Sequence, residues 1–375
     1  MKLAFVAISG MSWGGSEVLW SKTAAAALQA GHSVLVSVPG WPEQPPAIKN
    51  LVGSGAKMIY RRIPHPALFA RVVKKTANIL LSPGKKLTYH EYLNRFAADR
   101  ILINMAGGTE IAYDDDLMLF IRQTNIPYFV FCHSLSLTAR LPRNVLSNLI
   151  ECFSKAAKVF FTSNIQINVL QQQLGRLFTN FQVMNHPLKT MEAVAWPESG
   201  QINFAMIGHL VNRWKGFDRA ITILGSGEWI NRNWILNIYG EGEDRQILQK
   251  LVADKKLEQK VIFHGYVNDQ RLIWKKNQAL IIASRQDSGP ITLFEAMQAG
   301  RMVIATDMGA APDYIADEVN GVIAADASDN CLAAAMERAW QNKDRWQEWA
   351  LAARNMLQKK YDFEPEKTLL FEMTA

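Results

Sequence analysis

The chain is 375 residues long, more than one hydrophobic core usually organises, so two domains are expected. Hydrophobic residues make up 49%, an ordinary globular share, and no apolar run reaches the roughly 18 residues that would mark a membrane-spanning helix. The net charge of +7 belongs to the first half, where residues 1–195 carry 20 Lys and Arg against 10 Asp and Glu, while the remainder carries 21 against 24.

KLAFVAIS (2–9) is expected to be the first strand; its apolar stretch is too short for a signal peptide and no small-residue cleavage site follows. A turn with Gly10, Gly14 and Gly15 leads into a helix, SEVLWSKTAAAALQAG, stopped by Gly31, and then into a strand, HSVLVSV. Residues 51–100 hold ten basic residues (Lys57, Arg61, Arg62, Arg71, Lys74, Lys75, Lys85, Lys86, Arg95 and Arg100) against two acidic ones. The stretch LFARVVKKTANILL among them reads either as a solvated helix face or as a surface for anionic membrane, where each cation contributes about 1 kcal/mol. No nucleic-acid-binding motif accompanies the charge, so no nucleic-acid partner is expected. RILINM, IPYFVFCH and KVFFTS read as further strands, and residues 186–200, with two prolines and no period, as a linker. The βα alternation restarts at INFAMIG, and alternation through both halves predicts parallel, doubly wound sheets. Cys132, Cys152 and Cys331 have no metal spacing and leave one thiol over in any disulfide scheme, which fits a cytoplasmic protein.

The most informative stretch is ALIIASRQDSGPITLFEAMQAGRMVIAT: a strand, a loop, a helix closed by Gly300, and a second strand. In such a βαβ unit the loop opens onto the helix N-terminus, where free N–H groups and the positive dipole end favour phosphate. Asp287 lies in that loop and Glu295 about one turn into the helix, so one ligand could place a diphosphate at the helix start and a polyol at each carboxylate.

An acidic residue, seven positions and then Glu-Ala-Met, here Asp287 to Glu295, Ala296 and Met297, resembles the signature of glycosyltransferase family 4, the retaining glycosyl transferases group 1. IGHLVNRWKGFDRAI (207–221), LNIYGEGEDRQIL (236–248) and VIFHGYV (261–267) extend the resemblance in the family's order. It implies a GT-B fold of α/β class: two Rossmann-like, doubly wound parallel-sheet domains facing a cleft. The acceptor domain would span residues 1–190, the nucleotide-sugar domain 200–360, and residues 361–375 would cross back to the first domain.

Several site assignments follow from the resemblance. Lys215 of the Lys-Gly pair would hold the diphosphate, and because His209 stands where the family usually has arginine, Arg213 would add the second cation. Asp287 would hold sugar hydroxyls and Glu295 the ribose, with Arg285 near the diphosphate. Gly289, Pro290, Ile291 and Thr292 would form the phosphate loop, where Pro290 removes one backbone donor yet suits a helix start. Tyr266, Val267 and the loop around Glu241 would receive uracil. In the first domain, Gly14, Gly15 and Ser16 would lie against the donor, and His133 would hydrogen-bond donor sugar or acceptor.

The glycine pairs after the first strand and after ILNIY do not complete a nicotinamide fingerprint, because no acidic residue ends the following strand. The Asp114-Asp115-Asp116 run is expected to cap or face solvent rather than to bind metal. The resemblance therefore implies a UDP-sugar, UDP-glucose first, as donor substrate, with no cofactor and no metal. The acceptor would be a glycan or a lipid-linked saccharide in polysaccharide biosynthesis, handled in the cytoplasm or at the inner face of the membrane. The alternatives are a catalytically silent nucleotide-sugar-binding subunit, which His209 and Pro290 keep open, and an epimerase of the same fold.

Overall fold

A computed structural model describes residues 1–9, 13–41, 44–61, 87–135 and 141–375. Gly10, the stretch LFARVVKKTANILL and six of the ten basic residues of 51–100 lie outside the described residues. The chain divides into two compact units, the first made of residues 1–161, 167–187 and 364–375, the second of 162–166 and 188–363.

The first unit holds a seven-stranded sheet built from β1 (Lys2–Ala7), β2 (Ser33–Pro39), β3 (Lys57–Arg61), β4 (Arg100–Met105), β5 (Tyr128–Cys132), β6 (Lys158–Phe161) and β7 (Phe181–Val183). Every pairing is parallel, in the order β3-β2-β1-β4-β5-β6-β7. The second holds β8 (Ile202–Ile207), β9 (Trp234–Tyr239), β10 (Val261–Gly265), β11 (Ala279–Ile282), β12 (Met302–Ala305) and β13 (Val322–Ile323), parallel in the order β10-β9-β8-β11-β12-β13. The central strands are nearly continuous apolar runs because helices cover both faces of each sheet, and β11 and β12 are buried at every position.

In each sheet the winding direction reverses once, between β1 and β4 in the first and between β8 and β11 in the second. Strand ends part at such a reversal and leave a crevice at their carboxyl edges, which is where open α/β sheets bind ligands. The sequence-assigned residues fall at both reversals: Gly14 to Ser16 after β1, Lys215 after β8 and Asp287 after β11.

Two features fix the boundaries of the units. The Arg301 guanidinium, 1% exposed, donates to the carbonyls of Trp274, Val194, Ala195, Ala299 and Gly300, which straps the irregular segment after residue 188 onto the second unit. Burial without a carboxylate partner pulls its pKa down to about 10. The helix Pro365–Thr374 packs on the helix Gly15–Gln29 of the first unit, burying Leu369 and Met373 fully, and Glu372 pairs with Lys158.

Candidate functional site

In the second unit, the site starts from two close backbone approaches. After β8 the chain turns at Gly208 and is held by the Gly240-Glu241-Gly242 turn after β9, with Leu210 N donating to the Glu241 carbonyl at 2.9 Å and Asp244 N to the Leu210 carbonyl at 3.1 Å. A Cβ on Gly240 would sit 1.9 Å from the Gly208 carbonyl oxygen, and one on Gly242 2.5 Å from the Leu210 backbone. These glycines therefore serve loop-to-loop packing and not a dinucleotide fingerprint. A short helix, Asn212–Lys215, ends at Gly216, whose φ is +66° and whose missing Cβ would lie 2.1 Å from the Ala283 carbonyl at the end of β11. Only glycine lets the loop after β8 close on β11 this way, and the closure sets Lys215 beside Asp287.

Lys215 Nζ donates to Asp287 Oδ2 at 2.6 Å, joining residues 72 apart in sequence. Asp287 Oδ2 also accepts from Ser284 Oγ at 3.2 Å and Oδ1 from Ser288 N at 2.9 Å, so three donors hold a carboxylate that is 9% exposed. Lys215, Asp287, Ser284, Pro290 and Thr292 line one pocket over a floor from β8 and β11. Pro290 precedes the helix Ile291–Ala299 with φ of −66° and makes no side-chain cap, which leaves the first-turn N–H groups of Ile291 and Thr292 outside the helix's own ladder. Four residues into that helix, Glu295 is 9% exposed, and its Oε1 accepts from Gln270 Nε2 at 2.5 Å. Burial pushes its pKa up to about 7, against the opposing pull of the Gln270 hydrogen bond. Gln270 opens the helix Gln270–Lys276, and no spacing in the sequence connected it with Glu295.

The remaining assignments separate. Arg213 is exposed, stacks over its neighbour Trp214 at 4.3 Å and lies 3.8 Å from Glu243, while Lys215 is the cation that lines the pocket. Arg285, expected near the diphosphate, is committed elsewhere: it clasps both Asp218 carboxylate oxygens at 2.7 and 2.9 Å and donates to the Asn212 carbonyl at 2.8 Å. His209 is exposed, and Gly289 lies in the loop between Ser288 and Pro290. Glu241 accepts from Arg245 at 2.8 Å beside Gly265; Tyr266 is 77% exposed, and Val267 packs against the core.

Among its described residues the first unit has no comparable ion pair at its reversal, and a chain of neutral hydrogen bonds runs there. Asn104, in β4, donates from Nδ2 to the Ser16 carbonyl at 3.3 Å, and its Oδ1 lies 2.6 Å from His133 Nε2. His133 Nδ1 lies 3.3 Å from Nε2 of His186, the residue before the Pro187 boundary, and the two imidazoles stack with centroids 4.8 Å apart. Burial, and then the neighbouring imidazole, hold the His133 pKa well below the usual histidine value, and burial brings His186 to about 4. Both rings are therefore neutral at pH 7. Both His133 nitrogens are thus engaged inside the unit. Gly14 and Gly15 are exposed where the helix Gly15–Gln29 begins. At the relay's other end, Glu17 Oε2 accepts from Gly14 N at 3.1 Å and Ser16 Oγ at 2.6 Å, while its buried Oε1 has no partner. The acidic run caps as expected: Asp114 Oδ1 accepts from Leu117 N at 3.0 Å at the start of the helix Asp115–Gln123.

Residues 191–356 match the family model described as glycosyl transferases group 1. The matched segment makes up 166 of the 375 residues. The group 1 segment contains every second-unit residue assigned to the site. Among curated relatives, the lipopolysaccharide 1,6-galactosyltransferase of Escherichia coli K12 is 26% identical over 169 residues, 42% of this chain and 46% of that protein. The poly(ribitol-phosphate) alpha-N-acetylglucosaminyltransferase of Staphylococcus aureus strain COL is 28% identical over 129 residues, 34% of this chain and 26% of that protein. The matched parts thus span less than half the length of either relative. Among solved structures, the lipopolysaccharide outer core galactosyltransferase WaaB superposes with a TM-score of 0.73 over 99% of both chains at 17% identity. Anabaena Alr3699/HepE in complex with UDP-glucose superposes with a TM-score of 0.69 over 99% of this chain and 98% of that one, also at 17% identity. The fold is GT-B, of α/β class.

Proposed function

We propose that this chain is a retaining glycosyltransferase of group 1 that moves a hexose, glucose first, from a UDP-sugar to a glycan or lipid-linked saccharide in polysaccharide biosynthesis. The observation that carries the reading is the Lys215–Asp287 pair at the mouth of the helix Ile291–Ala299, with Glu295 buried one turn further in. Lys215 has three N–H donors and spends one on Asp287, so two remain for phosphate oxygens beside the free N–H groups of the helix start. Asp287, fixed by its three donors, would accept hydroxyls of the transferred sugar, and Glu295 those of the ribose.

Among the described residues that line the pocket Asp287 is the single carboxylate, and three donors already hold it, so same-face displacement is the mechanism we favour. The bond from the anomeric carbon to the phosphate oxygen breaks as the bond to the acceptor oxygen forms, and the acceptor's proton passes to the departing phosphate oxygen. Lys215 and the helix start stabilise the charge that grows on the diphosphate, a task that needs neither metal nor cofactor. The named ligand of HepE supports the uracil nucleotide, and the lipopolysaccharide enzymes among the relatives support a surface-glycan acceptor. The basic first half supports contact with an anionic membrane at its cytoplasmic face.

The test is thermal stabilisation by UDP, GDP, ADP, NAD and a panel of UDP-sugars in EDTA, followed by transfer from the stabilising donor and assignment of the product's anomeric configuration by NMR. UDP at about a hundred times its dissociation constant should stabilise by roughly 2.7 kcal/mol. A response to NAD alone, or inversion at the anomeric carbon, would overturn the reading.

A further inference from the structure

The relay in the first unit has a direction that its partners impose. Asn104 gives its N–H₂ to the Ser16 carbonyl, so the amide's oxygen is the atom facing His133 and the His133 nitrogen opposite it, Nε2, must carry the proton. Nδ1 of His133 is then a lone pair, and the His186 nitrogen facing it at 3.3 Å, Nε2, is placed to donate to it. Donation thus runs one way, from His186 to His133, from His133 to the Asn104 oxygen, and from the Asn104 amide to Ser16, in the turn that the resemblance assigns to donor contact. Phe131 stacked at 4.2 Å on the His133 ring keeps it from rotating out of this register.

We propose that His186 is a positioning residue for the transfer reaction: its Nε2–H selects the His133 tautomer, which orients Asn104 and so fixes the Gly14-Gly15-Ser16 turn. The proposal rests on the transferase reading. Without that N–H, the Nδ1–H tautomer of His133 becomes accessible; it would turn a lone pair toward the Asn104 oxygen, favouring an amide flip that releases Ser16. A phenylalanine at 186 would keep the stacking but not the donor, whereas a glutamine would restore an N–H.

Two measurements test this. Nitrogen-15 NMR of the histidine side chains should show His133 as the Nε2–H tautomer in the wild type and as a tautomer mixture in His186→Phe. In transfer assays His186→Phe should lose about tenfold in kcat with donor KM nearly unchanged and Tm close to wild type, and His186→Gln should recover most of it. An unchanged tautomer signal in His186→Phe, or full turnover there, would overturn the proposal, as would a turnover loss that glutamine does not repair. If the wild-type chain transfers no sugar at all, the transferase reading fails, while the tautomer experiment still decides whether His186 sets the relay.

Discussion

The two units hold their candidate site residues at the same topological spot by opposite physical means. At the β8/β11 reversal the side chains are charged, partly open and held by ionic contacts, with Lys215 on Asp287 and Arg285 on Asp218. At the β1/β4 reversal they are neutral imidazoles and an amide, buried and oriented by donor-acceptor logic. Fixed charge suits an anionic leaving group, whose stabilisation grows as the bond breaks. A neutral network suits a rim that must hold a shape, since its donors and acceptors are already used on one another. Winding order decides where a site stands; loop chemistry decides what it does.

The sharpest way to break this contrast is Lys215→Ala, which should lower transfer about a thousandfold while UDP binding weakens less, because the cation acts on charge that develops in the transition state. Glu295→Ala should cost about a hundredfold with the fold retained; near-normal turnover would remove Glu295 from the site. The pH dependence of stability should have opposite signs in the two units. Glu295 holds its proton to about pH 7 when folded, against a normal value of 4.5, so its contribution is full below pH 4.5 and is lost as pH rises through 7. Glu295→Gln should therefore be more stable than wild type at pH 8, by on the order of 3 kcal/mol, and should match it at pH 4. The depressed His133 and His186 values act the other way: their contribution is present above about pH 6.5 and is lost as pH falls toward 4. Unfolding melts of His186→Phe should show a shallower loss over that range. The smallest effect is expected for Arg285→Lys, which loses bidentate geometry at a partly exposed pair and should cost about 1 kcal/mol or less, with turnover nearly unchanged.

The helix Ile291–Ala299 was legible to the residue, because helical spacing, a proline start and the Gly300 stop, with φ of +69°, agree with one another. β3, β7 and β13 escaped: KMIYR is masked by its charges, and FQV and VI are too short to show a period, so their strand character comes from the neighbours they pair with. Arg213 and Arg285 look alike in sequence. Only packing of the helix Phe217–Leu224 brings Asp218 to Arg285 across 67 residues. His186 sits in a segment whose prolines and mixed polarity mark it as linker, and its stacking on His133 is a contact across 53 residues that no local pattern encodes.

The helix Pro365–Thr374 has a consequence for biogenesis. Leu369 and Met373 complete a core begun by Leu3, Phe5 and Leu19, yet they are translated after the whole of the second unit. On the ribosome, the second unit therefore has every residue it needs while the first still lacks a wall, with apolar surface on the helix Gly15–Gln29 uncovered. Domains synthesised first generally fold first. Here the order of completion is reversed, and the early half of the chain must wait, open to chaperones, for a helix that emerges about 340 residues after its partner.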